Sequence, residues 1–201
     1  MSETMAKTRD RLVEVARQLF ARIGVENTTM NDIALASKKG RRTLYTYFKS
    51  KTDIYHAVIQ SELAILYNSL QAVVEKDMSA DEKLLEFIHI RLETVKDVVF
   101  RNGTLRADFF RDIWRVENVR KGFDIREISY IKYILDEGVE TGVFELNDTE
   151  SMSLILHHAF KGLEVPYIRG IIRDSSLIKN EQGIRANSDI VNLLYNGIKK
   201  K

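Results

Sequence analysis

Residues 28–51 read TTMNDIALASKKGRRTLYTYFKSK, a stretch that predicts two short helices joined by a tight basic turn. Thr29, with Asp32 three residues on, is a capping box that opens the first helix, where Ile33, Ala34 and Ala36 face inward. Lys38, Lys39 and Gly40 make the turn. The next helix runs from about Arg41 to Phe48. Leu44 and Phe48, four apart, take its buried side, and Arg41, Arg42, Thr43, Thr46 and Tyr47 stay outside. A major groove about 12 Å wide admits one such helix while the helix before it braces across the backbone. Arg41 and Arg42 stand at the end that reaches base edges, where arginine pairs bidentately with guanine for about 1–3 kcal/mol of discrimination. Thr43 and Tyr45 suit thymine methyls or phosphates. Tyr47, Lys51 and the Thr28 and Thr29 hydroxyls suit phosphate, which sets position and not sequence. A plain helical hairpin with a solvated charged face explains the arginines but not the tyrosines.

Charge agrees with this placement. The net charge of +2 conceals a split: residues 1–51 hold eleven Lys and Arg against five Asp and Glu, and the rest hold twenty against twenty-four. A basic quarter on a slightly acidic body suits a polyanion-binding head. Cysteine is absent, which excludes a disulfide framework and thiolate chemistry and fits a reducing cytosol. No apolar run approaches the roughly 20 residues of a membrane span. The N-terminus lacks the apolar core of a secretion signal, so a cytoplasmic location is expected.

Outside the segment the chain reads as helix nearly throughout. Leu12, Val13, Ala16, Leu19, Phe20 and Ile23 form a stripe that Gly24 ends. Ser50 with Asp53, and Ser79 with Glu82, open two more helices. Breaks are expected at Asn102–Gly103 and at Gly122, and Asn147 is expected to cap a helix that Pro166 kinks or ends near Val165. Residues 173–186 read as a loop, before a last helix carrying Ile190, Leu193, Leu194 and Ile198. The expectation is an all-α chain of about nine helices and no strand. A helix-turn-helix domain over 1–51 precedes a helical domain over 52–201.

Residues 9–56 resemble the N-terminal domain of TetR-family transcriptional regulators. The resemblance rests on Ala16, Phe20 and Gly24, on Thr28-Thr29 before Ile33-Ala34, and on Thr43-Leu44-Tyr45-Thr46-Tyr47-Phe48 followed by Lys49-Ser50-Lys51. It implies a homodimer that binds a palindromic operator in double-stranded DNA, usually as a repressor, and that a small molecule bound in the C-terminal domain releases. It places Arg41, Arg42, Thr43 and Tyr45 where the family reads bases, and Thr29, Tyr47 and Lys51 where it holds phosphates. The turn departs from the family's Ala-Gly-Val-Ser: Lys38 stands for a glycine that favours a left-handed turn, Lys39 for a buried apolar residue, and Gly40 for a capping hydroxyl. Either Lys39 points outward or the turn is displaced.

The resemblance also implies an effector cavity and a dimer made by the last two long helices. Within an apolar lining that includes Phe110 and Trp114, the candidate polar groups are His89, Arg106, Asn118 and Tyr130. Taken singly, each aromatic residue is better explained as plain core. No glycine-rich phosphate loop, nucleophile elbow or paired His–Glu zinc motif occurs. His157 and His158 are adjacent and point to different faces. No metal, cofactor, membrane contact or enzymatic activity is therefore expected. Two other readings stay open: a helical enzyme or carrier that keeps the head as scaffold, and an adaptor whose basic head meets an acidic protein.

Overall fold

A computed structural model describes residues 3–102, 113–169, 177–180, 183–186 and 198, with the backbone alone for 113–120, 177–180 and 183–186. The helices are α1 (Glu3–Ile23), α2 (Met30–Ala36), α3 (Arg41–Tyr47), α4 (Lys51–Val74), α5 (Ala80–Arg101), α6 (Ile113–Glu140) and α7 (Thr149–Ile168). Seven helices thus lie among the described residues, against the nine expected. The predicted helix carrying Leu105, Phe109 and Phe110 falls mostly outside those residues, as does the last predicted helix except for the buried Ile198.

Two compact units form. One comprises Met1–Ala64 with Asp97–Lys121, the other Ile65–Lys96 with Gly122–Lys201. In the first, the predicted stripe of α1 is the core: Leu12, Ala16, Leu19 and Phe20 pack with Ile33 and Ala34 of α2, Leu44 of α3, and Ile54, Val58 and Ile59 of α4. Leu44 is fully buried, which contributes about 1.5–3 kcal/mol and holds α3 to the unit. Glu62 is buried in the same unit, where it pairs with Arg101 and accepts from Asn102 Nδ2 at 2.8 Å.

In the second unit Leu66, Leu70, Phe87, Ile88, Ile131, Ile134, Leu135, Leu156 and Phe160 are buried. Gly138 lies against the ring of Phe144, so close that a Cβ there would stand 2.0 Å from Cδ2. Gly142, at φ 73°, ends the turn after α6, with Val143 N–H donating to Gly138 O at 2.8 Å.

Four local expectations are corrected. Gly122 does not break a helix: α6 runs through it, because one internal glycine costs only about 1 kcal/mol and the apolar face beyond it outweighs that. Asp148, not Asn147, caps α7, its carboxylate accepting from Ser151 N. Of the two outcomes expected at Pro166, the helix does not end near Val165: Pro166 lies inside α7, which continues to Ile168. Residues 177–180 and 183–186, read as loop, form an antiparallel hairpin in which Leu177 pairs with Ala186 and Asn180 with Gly183. Strands of four residues are too short for an alternating pattern to stand out in sequence.

Candidate nucleic-acid interface

Caps and hydrogen bonds position the helix pair. α1 ends at Gly24, whose φ of 86° a side chain would strain. Asn27 Nδ2 donates to Ile23 O at 2.9 Å, and Thr28 Oγ1 donates to Gly24 O at 2.7 Å. Thr29 then caps α2 reciprocally: its hydroxyl accepts from Asp32 N, and Asp32 accepts from Thr29 N. These bonds from the Thr29 hydroxyl and backbone hold the Asp32 carboxyl below its usual range.

The turn resolves the choice that the departing residues left. Ser37 is the C-cap of α2, Lys38 N–H donates to Leu35 O at 3.1 Å, and Lys39 N–H donates to Ala34 O at 3.0 Å. This is the Schellman arrangement, with lysine in the left-handed position at φ 55°. The turn is not displaced, and Lys39 is exposed. Gly40 precedes α3 in extended conformation and gives no side-chain cap, which its missing side chain dictates.

On α3, Leu44 is buried, and Tyr47 packs partly against the core. Phe48, buried after the helix, lies 5.5 Å from the guanidinium of Arg9. Arg41, Arg42, Tyr45 and Thr46 are exposed and Thr43 is half-buried. The Thr46 hydroxyl donates to Arg42 O at 3.0 Å, so it is partly spent on its own helix. Among the described residues neither Arg41 nor Arg42 has a carboxylate partner, unlike Arg17, whose Nη2 stands 2.6 Å from Glu14. Two cations at the positive end of a helix oppose its dipole, so they do not serve the helix itself. With Lys38 and Lys39 they form a cationic edge that a polyanion would neutralise.

Two of the residues expected to meet phosphate make hydrogen bonds within the protein. Thr28 is 1% exposed, its hydroxyl donating to the end of α1, so it is not presented to a ligand. Lys51 turns its ammonium inward: Nζ donates to Val25 O at 2.8 Å and to Glu26 O at 3.3 Å. It ties the start of α4 to the loop that leads into α2. Thr29 is exposed, but its hydroxyl is engaged with Asp32.

Of the candidate effector residues, Tyr130 stacks at 5.4 Å on Tyr67. Burial and the hydrogen bond to Tyr67 push its phenol above the usual range. His89 is half-buried. Arg106 and Phe110 lie outside the described residues, as do the side chains of Trp114 and Asn118. What the sequence reading missed in this unit is a buried charge network. Arg91, fully buried, pairs through Nε with Glu127, and its Nη2 donates to Glu164 at 2.8 Å. Burial opposes ionisation of Glu127, but the charge of Arg91 and the His157 contact outweigh it and hold that carboxyl at about 2. Charged residues on the apolar faces of α5, α6 and α7 were the available signal.

These features define a helix-turn-helix protein that binds DNA to regulate transcription. Residues 12–58 match the model of the bacterial regulatory proteins, tetR family. A probable acrEF/envCD operon repressor of Escherichia coli (strain K12) is 24% identical over 168 residues, 78% of this chain and 74% of that protein. An HTH-type transcriptional regulator of Staphylococcus aureus (strain USA300) is 38% identical over 73 residues, 36% of this chain and 40% of that one. The solved transcriptional regulator from Cytophaga hutchinsonii ATCC 33406 shares the fold, with a TM-score of 0.74 at 18% identity, over 95% of this chain and 98% of that one. Residues 12–58 thus carry the N-terminal domain of the tetR family of bacterial regulatory proteins.

Proposed function

We propose that this chain is a ligand-responsive repressor that binds a palindromic operator as a homodimer in the cytoplasm. The observation that carries the reading is the outward side of α3, where Arg41, Arg42 and Tyr45 are exposed and the arginines have no carboxylate partner among the described residues. In this reading residues 1–51 are the DNA-binding head and 52–201 the effector and dimer domain. Arg41, Arg42, Thr43 and Tyr45 read base edges, and Tyr47 and Thr29 meet phosphate through the phenol and the exposed start of α2. Lys51 acts indirectly, by holding the loop before α2. The reading needs no catalysis.

The dimer reading is supported by α7, where Leu154 is 42% and Ile155 59% exposed beside the exposed His158. Adjacent large apolar side chains on one helix are unfavourable in water and favourable against a twofold mate. A dimer also carries two heads to half-sites about one helical turn apart. The effector is a small molecule.

Footprinting on the DNA flanking the protein's own coding sequence tests this. A protected region with two symmetric halves is expected, weakened by Arg42→Ala with changed preference at one base position. A protein that leaves every duplex unprotected at low ionic strength would overturn the reading.

A further inference from the structure

The geometry points to a binding site for one divalent transition-metal ion in the second unit, formed by Asp124 and Glu127 of α6 and His157 of α7. One donor atom from each of the three lies within 4.8 Å of the others. Asp124 and Glu127 are three apart on one helix and so share a face. Glu127 and His157 are almost wholly buried.

The hydrogen bonding separates inner atoms from outer ones. Lys161 Nζ stands 3.0 Å from Asp124 Oδ2, and Arg91 Nε holds Glu127 Oε1. Of the remaining atoms, Glu127 Oε2 and His157 Nδ1 contact each other at 2.8 Å, while Asp124 Oδ1 and Arg91 Nη1 are buried without a hydrogen-bond partner. His157 Nε2 is 3.9 Å from Asp124 Oδ1. A buried carboxylate oxygen is seldom left unpartnered, and Asp124 Oδ1 stands beside the Glu127–His157 pair. Neighbouring donors around an ion bound at about 2.0–2.2 Å stand about 3 Å apart. The Glu127 Oε2–His157 Nδ1 spacing already has that value; an imidazole gives one ion a single nitrogen, so Asp124, the least buried of the three, has to swing Oδ1 from the Nε2 side toward Nδ1 to complete the set. Outer-oxygen partners such as Arg91 and Lys161 are what orients carboxylate ligands.

One imidazole and two carboxylates suit Zn²⁺ or Mn²⁺. Ca²⁺ takes six to eight oxygens, more than this set offers. The ion would join α6 to α7. The inference stands without the DNA-binding reading.

The test is equilibrium dialysis of the full chain, stripped with EDTA, against Zn²⁺ and Mn²⁺, with metal counted per chain. One ion per chain is expected. His157→Gln and Asp124→Asn, each checked by circular dichroism for native helix content, should weaken binding more than about 100-fold. His158→Gln, the exposed neighbour, should leave it unchanged. No uptake of either ion would overturn the proposal. Uptake that survives His157→Gln, or is lost in His158→Gln, would also overturn it.

Discussion

Gly138→Ala should destabilise the protein although alanine is the better helix former. The new Cβ would stand 2.0, 2.4 and 2.9 Å from Cδ2, Cε2 and Cγ of Phe144. Carbon atoms rest at about 3.5–4.0 Å, so the ring must retreat by about 1.5–2 Å. It has little freedom to do so, because Val143 N and Phe144 N both donate to Gly138 O, at 2.8 and 2.9 Å. Phe144 is also buried. Overpacking costs about 1–3 kcal/mol, and full loss of a buried phenylalanine about 3–5. Helix propensity returns about 0.5–1 kcal/mol. The net expectation is a loss of about 2 kcal/mol, or about 4–8 °C in Tm for a chain of this size. The decisive measurement is a double-mutant cycle by urea denaturation. In a Phe144→Ala background the clash is gone, so Gly138→Ala should become stabilising by about 0.5–1 kcal/mol. Equal costs in both backgrounds would refute the contact as the cause.

Arg42→Ala should weaken duplex binding in a gel shift while Tm stays within about 1 °C, since exposed side chains without partners contribute little to folding. Lys51→Ala should instead cost about 1–2 kcal/mol in urea denaturation, because Nζ bonds two loop carbonyls; unchanged stability would return Lys51 to a phosphate role. Lys38→Gly should stabilise by about 1 kcal/mol, relieving a left-handed lysine. Leu154→Asp with Ile155→Asp should convert a dimer to monomer in sedimentation, whereas an unchanged mass would place the interface elsewhere. The Asp148 carboxyl is held below its usual range by the side-chain and backbone hydrogen bonds of Ser151. Its contribution to stability is thus fully present above the unfolded value near 3.8 and lost as pH falls through the lower folded one. Asp148→Asn should flatten the acid limb of the Tm profile.

The helices of the first unit were legible because their signals are local. The stripe of α1 from Leu12 to Phe20, the Thr29–Asp32 and Ser50–Asp53 boxes and the Leu44–Phe48 pair each sit within a few turns and appear where the residues predict, although Ile23, the last of the predicted stripe, is exposed. The exposed face of α3 followed from the same periodicity. Exposure says less about what a polar atom does. Thr28 and Lys51 were read for phosphate, and both also bond backbone carbonyls, Lys51 ones 26 and 25 residues away, which no local pattern announces.

Sequence alone settled where the helices of the first unit form and that a cationic helix-turn-helix leads the chain, because periodicity, caps and charge count are properties of neighbouring residues. Tertiary structure alone decided which charges are buried together. Arg91, Glu127, His157 and Glu164 come from three helices. Their meeting depends on how those helices pack, which no local spacing encodes.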